Sequence, residues 1–276
     1  MPDAAFADPR LAALYDVLDP DRSDLDTYLA IADEVGARSV LDVGCGTGVF
    51  ALLLAERGVD VTGVDPARAS LDIARAKPGA ERVRWVHGTA VDLPPLEADL
   101  ATMTANVAQV FLTDEDWDET LRAVHAALRP GGELAFETRV PAARAWESWV
   151  PSHSRSTTDV PGLGPLTEWY ELNEVREGPL LVTFTAHNEF PDGEDFVSTS
   201  TLRFRGRDEI VASLERTGFT DVRIGDLPYA PGRGWLVRAA RPRGTSASAR
   251  LGLATLSSGG PAGRRASARP MRWASR

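Results

Sequence analysis

Residues 40 to 48 read Val-Leu-Asp-Val-Gly-Cys-Gly-Thr-Gly, an apolar run that carries a carboxylate and ends in three glycines within five residues. Such a run, stopped by glycine, predicts a buried strand turning into a loop, because glycine adopts positive φ freely and lets backbone approach a ligand closely. The next nine residues, Val49 to Arg57, all suit a helix, and Gly58 closes it. A strand, a glycine loop and a helix of this kind hold a small ligand where the strand ends.

A second strand, Val59 to Asp65, places Asp65 at its carboxyl end, nineteen residues after Gly46, with Pro66 next. In a doubly wound sheet that position lets a carboxylate accept hydrogen bonds from the two hydroxyls of a ribose, so the ligand is read as a nucleoside derivative. A dinucleotide fingerprint requires G-x-G-x-x-G/A, and Val49 stands at its third glycine position. A P-loop requires G-x-x-x-x-G-K-[ST], and the only lysine of the chain is Lys77. Gly44, Gly46, Gly48 and Asp42 also have plainer readings, as a tight turn and as a carboxylate near a helix N-terminus.

The strand, the D-x-G-x-G-x-G loop and the acidic strand end resemble the class I S-adenosylmethionine-dependent methyltransferases over about Val40 to Val140. The segment from His87 to Pro94 resembles the family's adenine border, Ala98 to Asn106 its fourth strand, and Leu128 to Leu134 the turn into its fifth. The resemblance implies an α/β, Rossmann-like seven-stranded sheet with S-adenosylmethionine as cofactor. It implies cofactor contacts from Asp42, Gly44, Cys45, Gly46, Gly48, Asp65, Pro66, Thr89, Ala90, Asp92 and Asn106. The family often carries Asp where Thr89 stands, so Asp92 or a backbone carbonyl takes over the adenine amino group in this reading. Asn106 and Gln109, after the fourth strand, fall where the family orients methyl group and acceptor. Helices in residues 1–36 are expected to cover the cleft, with Tyr15 or Tyr28 either facing the methionine part or packing in the core.

Beyond the fifth strand, residues 141–165 read as a connection. Three antiparallel strands follow, Leu166 to Arg176, Pro179 to Phe190 and Glu194 to Arg205, with turns at Glu177-Gly178 and Asp192-Gly193. These predict an inserted β cap (141–206) on the substrate side of a core at 37–140, with residues 207–240 completing the sheet. In the middle cap strand, Thr183, Thr185, His187 and Glu189 share one face. If that face roofs the cleft, His187 is a general base; if it is a solvated outer face, it is not. Glu137 is a second candidate base and His153 a weaker one. Trp146, Trp149, Trp169 and Tyr170 either line an aromatic acceptor pocket or pack the cap, and Trp146 and Trp169 are carried as acceptor candidates with Tyr15 and Gln109.

Residues 241–276 hold eight arginines and no acid, leaving about −18 of charge on the rest of a chain whose net charge is −10. A body that acidic repels a phosphate backbone, so nucleic acid is not expected as a partner. The tail has few large apolar residues and is expected to be disordered. No run approaches the ~20 apolar residues of a membrane span and no leader pattern opens the chain, which predicts a cytoplasmic protein without a membrane partner. One cysteine and four scattered histidines make no zinc framework, and no metal is expected. The expected activity is methyl transfer from S-adenosylmethionine to a small molecule. A non-catalytic cofactor-binding regulator or an NAD-dependent oxidoreductase are the alternatives.

Overall fold

A computed structural model of the chain describes residues 3–244. Three short helices come first, α1 (Ala4–Ala7), α2 (Pro9–Leu18) and α3 (Asp26–Glu34), the last preceded by a 3-10 turn at Ser23–Leu25. Pro9 opens α2, where a missing N–H is harmless, and the Asp8 carboxylate caps it by accepting the Arg10 N–H at 2.8 Å.

Strands and helices then alternate: β1 (Ser39–Val43), α4 (Val49–Glu56), β2 (Asp60–Asp65), α5 (Arg68–Ala76), β3 (Val83–His87), β4 (Ala98–Met103), α6 (Asp114–Ala127) and β5 (Leu128–Arg139). After β5 come α7 (Pro151–Ser154) and four strands, β6 (Ser156–Val160), β7 (Gly164–Arg176), β8 (Leu181–Glu189) and β9 (Asp195–Arg203). The chain closes with α8 (Arg207–Arg216), β10 (Thr220–Asp226) and β11 (Gly234–Ala240).

Seven strands form one sheet in the order β10-β11-β5-β4-β1-β2-β3, and β6 to β9 form a separate antiparallel sheet. The expected seven-stranded α/β fold with an antiparallel cap after the fifth strand is therefore what the chain adopts. β1 pairs in parallel with β2 on one side and β4 on the other. The chain reverses direction of travel there, and ligands of open α/β sheets bind in the crevice at the carboxyl ends of such strands.

The two faces of the large sheet carry two cores. Leu41, Val64, Met103, Trp117, Phe136 and Leu214 pack on the side of α6 and α8. Val40, Val61, Leu100 and Ala135 pack on the opposite side with Tyr28 of α3 and Phe50 of α4. Because strand side chains alternate, Asp42, Asp65, Thr102 and Glu137 share the face of Val40, Val61, Leu100 and Ala135. Four polar groups are thus directed under the N-terminal helices by residue spacing alone.

Two boundaries differ from the sequence reading. The segment read as a connection contains β6, an edge strand of small polar and β-branched residues that pairs with β7 from Ser156 with Glu168 to Val160 with Gly164. Its lack of an apolar face hid it, because only the pairing with β7 decides that Ser-Thr-Thr-Asp-Val is extended. The segment expected to be a disordered tail begins with an ordered residue: the Arg241 N–H donates to Gly132 O at 2.8 Å and Gly131 N–H donates to Arg241 O at 2.9 Å. The remainder of that expectation, residues 245–276, lies outside the described residues. Among the described residues, no helix is long and apolar enough to cross a membrane, and no group of three or more His, Cys, Asp or Glu is placed to hold a metal.

Candidate functional site

The loop after β1 is shaped by its glycines. Gly44 and Gly48 have φ of +71° and +79°, and a Cβ at either would come within 2.5 Å of Val107 or Trp85 respectively. No larger residue fits those two positions. The N–H groups of Gly44 and Cys45 both donate to Val64 O, at 2.8 and 3.2 Å, so the loop is seated on the end of β2.

Asp65 sits at that end. Its Oδ2 accepts the Gly46 N–H at 2.8 Å and its Oδ1 the Ala67 N–H at 2.7 Å. Burial raises its pKa, and those two N–H groups pull it back down. The Thr89–Asp92 turn is held next to it, since Gly88 N–H donates to Asp65 O at 3.1 Å. Within that turn Asp92 Oδ2 accepts from Thr89 N–H and Oγ1 at 2.8 and 3.0 Å, which lowers the pKa of its carboxyl. Ala90 is buried, and Pro66 is exposed with its carbonyl 3.2 Å from His87 Nε2. Cys45 is a buried thiol whose pKa burial raises well above the usual value, so it stays protonated and inert.

Asp42 lies one strand over, 1% exposed. Thr102 Oγ1 donates to its Oδ1 at 3.0 Å, whereas its Oδ2 is buried without a hydrogen-bond partner. Burial pushes this carboxyl up to about 7 against the Thr102 hydrogen bond; Asp65 adds to the rise and Arg22 opposes it. Arg22, in the connection between α2 and the 3-10 turn, was not singled out from the sequence. Its Nε and Nη1 are buried and carry no hydrogen bond.

The N-terminal helices are tied down over this group. Lys77 Nζ lies 2.5 Å from Asp16 Oδ2 of α2 and donates to Thr47 O at 2.7 Å, while Thr47 Oγ1 donates to Asp16 Oδ1 at 2.7 Å. Tyr28 donates its hydroxyl to Glu137 at 3.0 Å. Glu137 also accepts from Asn106 Nδ2 at 3.3 Å and from the Tyr229 hydroxyl. The buried carboxylate expected to be a base is therefore the meeting point of three donors. The reach of Tyr28 and Tyr229 to it, from elements far apart in sequence, could not be read from the chain.

After β4 the backbone turns through positive φ at Ala105 (+54°) and Asn106 (+60°), neither of them glycine. Strain of this kind, of order 1–3 kcal/mol per residue, persists where surrounding structure over-determines it. Gln109, expected to orient the acceptor, is wholly buried. Its Oε1 accepts from Arg139 Nη1 at 2.7 Å and its Nε2 donates to Arg203 O at 3.3 Å, so it joins β5 to the cap.

The cap residues divide between two faces. Tyr170, Phe184, Trp146, Trp149 and Phe204 form one buried cluster on the inner face. Trp146 there is 2% exposed and stacks edge-on against Phe204, so it is a packing residue of the cap. Helix α1 covers the same face, with Ala5 N–H donating to Ser198 Oγ at 3.0 Å. Trp169 and His187 belong to the other face. Their rings stack at 4.6 Å beside exposed Val197, Arg155 lies 4.3 Å over Trp169, and His187 Nδ1 is 2.6 Å from Asp195 Oδ2. The reading of His187 as a base and Trp169 as an acceptor wall needed this face to roof the cleft, and it is the outer one. Strand alternation paired the residues correctly but could not say which side meets the sheet. Exposed His153 lies on α7, and half-buried Tyr15 packs near Phe6, 6.0 Å between ring centroids.

S-adenosylmethionine fits the residues that meet here. A Cβ at Gly46 would meet nothing within 4 Å, Asp65 offers a buried carboxylate at the end of β2, and Asp42 and Arg22 carry buried polar atoms without hydrogen-bond partners, opposite in charge like the ends of an amino acid.

Comparison with known proteins agrees with this geometry. Residues 40–132 match a family described as a methyltransferase domain. The chain is 28% identical over 223 residues to the ubiquinone/menaquinone biosynthesis C-methyltransferase UbiE of Rubrivivax gelatinosus, covering 79% of this chain and 78% of that protein. It is 38% identical over 106 residues to the cypemycin N-terminal methyltransferase of a Streptomyces species, covering 38% of this chain and 43% of that one. It thus spans under half the length of the second relative. Among solved structures, the S-adenosylmethionine-bound amino pentose methyltransferase CalS10 of Micromonospora echinaspora has the same fold, with a TM-score of 0.60 and 22% identity over 80% of this chain and 93% of that one. The matched segment begins at the strand that carries Asp42, runs through the one that carries Asp65 and ends in β5, so the chain contains a methyltransferase domain there, and its sheet order gives it the fold of the class I S-adenosylmethionine-dependent methyltransferases, which it resembles.

Proposed function

We propose that the chain transfers the methyl group of S-adenosylmethionine to a small-molecule acceptor. The observation that carries this reading is Asp65: a buried carboxylate at the carboxyl end of β2, already bonded to the glycine loop and set beside the point where the sheet reverses. When bound, the cofactor supplies a methyl group made electrophilic by its sulfonium. In this proposal Asp65 holds the ribose hydroxyls, Gly44 to Gly48 leave room for the methionine part, and the Thr89–Asp92 turn borders the adenine. Asn106 shapes the backbone beside the reacting atoms through its bond to Glu137.

The acceptor is assigned to the side of the cleft under the cap. Support for a small molecule comes from a relative named for ubiquinone and menaquinone biosynthesis and a structural neighbour named for an amino pentose. None of the three candidate bases enters the reading, because His187 belongs to the outer cap face, Glu137 is engaged by Tyr28, Tyr229 and Asn106, and His153 is exposed on α7. The rate then rests on alignment and exclusion of water, which supply as much as about 7–11 kcal/mol in favourable cases. We assign residues 1–36 to the cover, 37–140 to the cofactor core, 141–206 to the acceptor-side cap and 207–240 to closure of the sheet. A cytoplasmic setting without nucleic-acid or membrane partners completes the proposal.

Calorimetric titration with S-adenosylhomocysteine and, separately, NAD tests it, with Asp65→Ala as control. Binding of the first alone, weakened at least tenfold in the variant, is expected on the scale of ~1.5 kcal/mol for lost charge-assisted hydrogen bonds. Binding of NAD instead overturns the proposal. Turnover against a panel of quinone, phenol and amino-sugar acceptors separates an enzyme from a mere cofactor binder.

A further inference from the structure

We propose that the junction between cap and core holds a small monovalent anion, a halide such as chloride, between Arg203 and Arg205. The placement of both arginines has one local cause. They flank Phe204, whose ring is buried against Trp146 in the cap cluster, so their side chains leave the extended chain on its opposite side. There they enter the core beside the segment 107–113, and they are only 5% and 3% exposed.

Arg203 is answered by carboxylates, since its Nη2 lies 2.8 Å from Asp114 Oδ1 and 3.3 Å from Glu209 Oε1. Arg205 meets neutral groups instead. Its Nη1 donates to Ala108 O at 3.3 Å, its Nη2 to Phe111 O and Thr113 O at 2.9 and 3.0 Å, and its guanidinium carbon lies 5.0 Å over the Trp117 ring. Burial, then the charge of Arg203, lower its pKa to about 10, with Asp114, Glu209 and Asp118 opposing the fall. It therefore keeps its charge at neutral pH. A buried cation without a paired anion is costly, and a second cation beside it raises that cost.

The two side chains border a cavity of about 10 Å³, with Trp117, Phe136 and Ile210 as apolar wall and Thr138 as a further polar residue. The Nε of each arginine is buried and makes no hydrogen bond. Two charged donors without acceptors beside one void are the complement of a single anion, and a void of that size holds one water-sized particle. Its size excludes phosphate and carboxylate ligands. A water would accept both donors and leave both charges unanswered; an anion answers them, where apolar walls weaken screening. Phe136 and Thr138 lie on the face of β5 opposite Glu137, so the site is separate from the cofactor cleft. The anion ties the exit of the cap to the segment that follows Asn106.

The test follows thermal unfolding of the native chain as sodium chloride, or sodium bromide, replaces sodium gluconate at constant ionic strength. Either halide is expected to raise the melting temperature along a saturating one-site curve, by about 2–5 °C, because gluconate is too large for the cavity. R205M is expected to lose this dependence, and Arg205→Lys, which keeps the charge without the Nε–H, to retain part of it. A native chain that melts alike in all three salts overturns the proposal. So does an undiminished halide response in R205M. Because R205M also deletes three bonds to carbonyls, crystals of the native chain grown in bromide supply a readout that needs no variant. An anomalous peak within hydrogen-bond reach of both Nε atoms is expected. A water there and no peak overturns the proposal even where R205M fails to fold.

Discussion

The hydroxyl of Tyr28 on α3 reaches Glu137 on β5 across 3.0 Å, and both side chains are wholly buried. Burial, then the adjacent Glu137, push the Tyr28 phenol well above its usual pKa, so it remains a donor at every working pH. This one bond fastens the N-terminal cover to the centre of the sheet. Tyr28→Phe deletes it and is expected to destabilise the protein by about 1.5–3 kcal/mol, the range for hydrogen bonds to charged groups. In thermal unfolding that corresponds to roughly 3–10 °C. An unchanged melting temperature would show that Glu137 is satisfied without it.

Lys77 bridges Asp16 of α2 and the Thr47 carbonyl in the glycine loop. The pair is only partly exposed, with 22% and 30% of the two side chains accessible, so solvent screens it incompletely. Lys77→Met is expected to loosen α2 over the loop and speed dissociation of S-adenosylhomocysteine about three- to tenfold, as loss of ~1 kcal/mol implies. Stopped-flow displacement measures this directly, and an unaltered off-rate refutes it.

Asp42 makes stability depend on pH. Its carboxyl titrates near 7 in the fold, above the ordinary carboxylate value, so between about pH 4 and 7 the folded chain holds a proton that the unfolded chain has lost. Stability from this group is full below pH 4, falls as pH rises towards 7, and levels off above it, at up to ~1.4 kcal/mol per pH unit. Asp99 acts in the opposite sense and in a lower window. Burial alone would raise its pKa, but Arg129 and the N–H groups of Arg38 and Ser39 hold it at about 2, so its contribution disappears as pH falls from about 4 towards 2. Asp42→Asn is expected to flatten the loss between pH 4 and 7 in denaturant titrations of the cofactor-free protein. A parallel pH profile in the variant would remove Asp42 as its source.

Arg241 closes the end of α6. Its guanidinium donates to the carbonyls of His125 and Ala126 at 3.0 and 3.1 Å and to that of Leu128, where the helix leaves carbonyls unpaired. A chain ending at residue 240 is expected to be less stable than one ending at 244 by about 1–3 kcal/mol. Equal denaturation midpoints for the two would contradict this.

His187→Ala is expected to leave kcat within about twofold, since a general base contributes typically 10²–10⁴-fold and this histidine is paired with Asp195 on the outer cap face. A hundredfold loss of kcat at saturating acceptor would restore it as a base.

The chain's order of residues determined the elements. Three glycines in five residues and the carboxylate nineteen residues on lead from sequence alone to the strand–loop–helix and to Asp65. These are local: backbone sterics and strand geometry act within a few residues and need no partner. Which groups meet across the sheet was decided by tertiary packing. Tyr28 and Tyr229 converge on Glu137 from either end of the chain, Asp42 and Glu137 come to share one face, Gln109 turns inward to Arg139, and the cap turns His187 outward. Alternation says which residues share a face but not which face is covered, because that depends on the burial of Trp149 and Phe184 between distant segments, a balance no local pattern encodes.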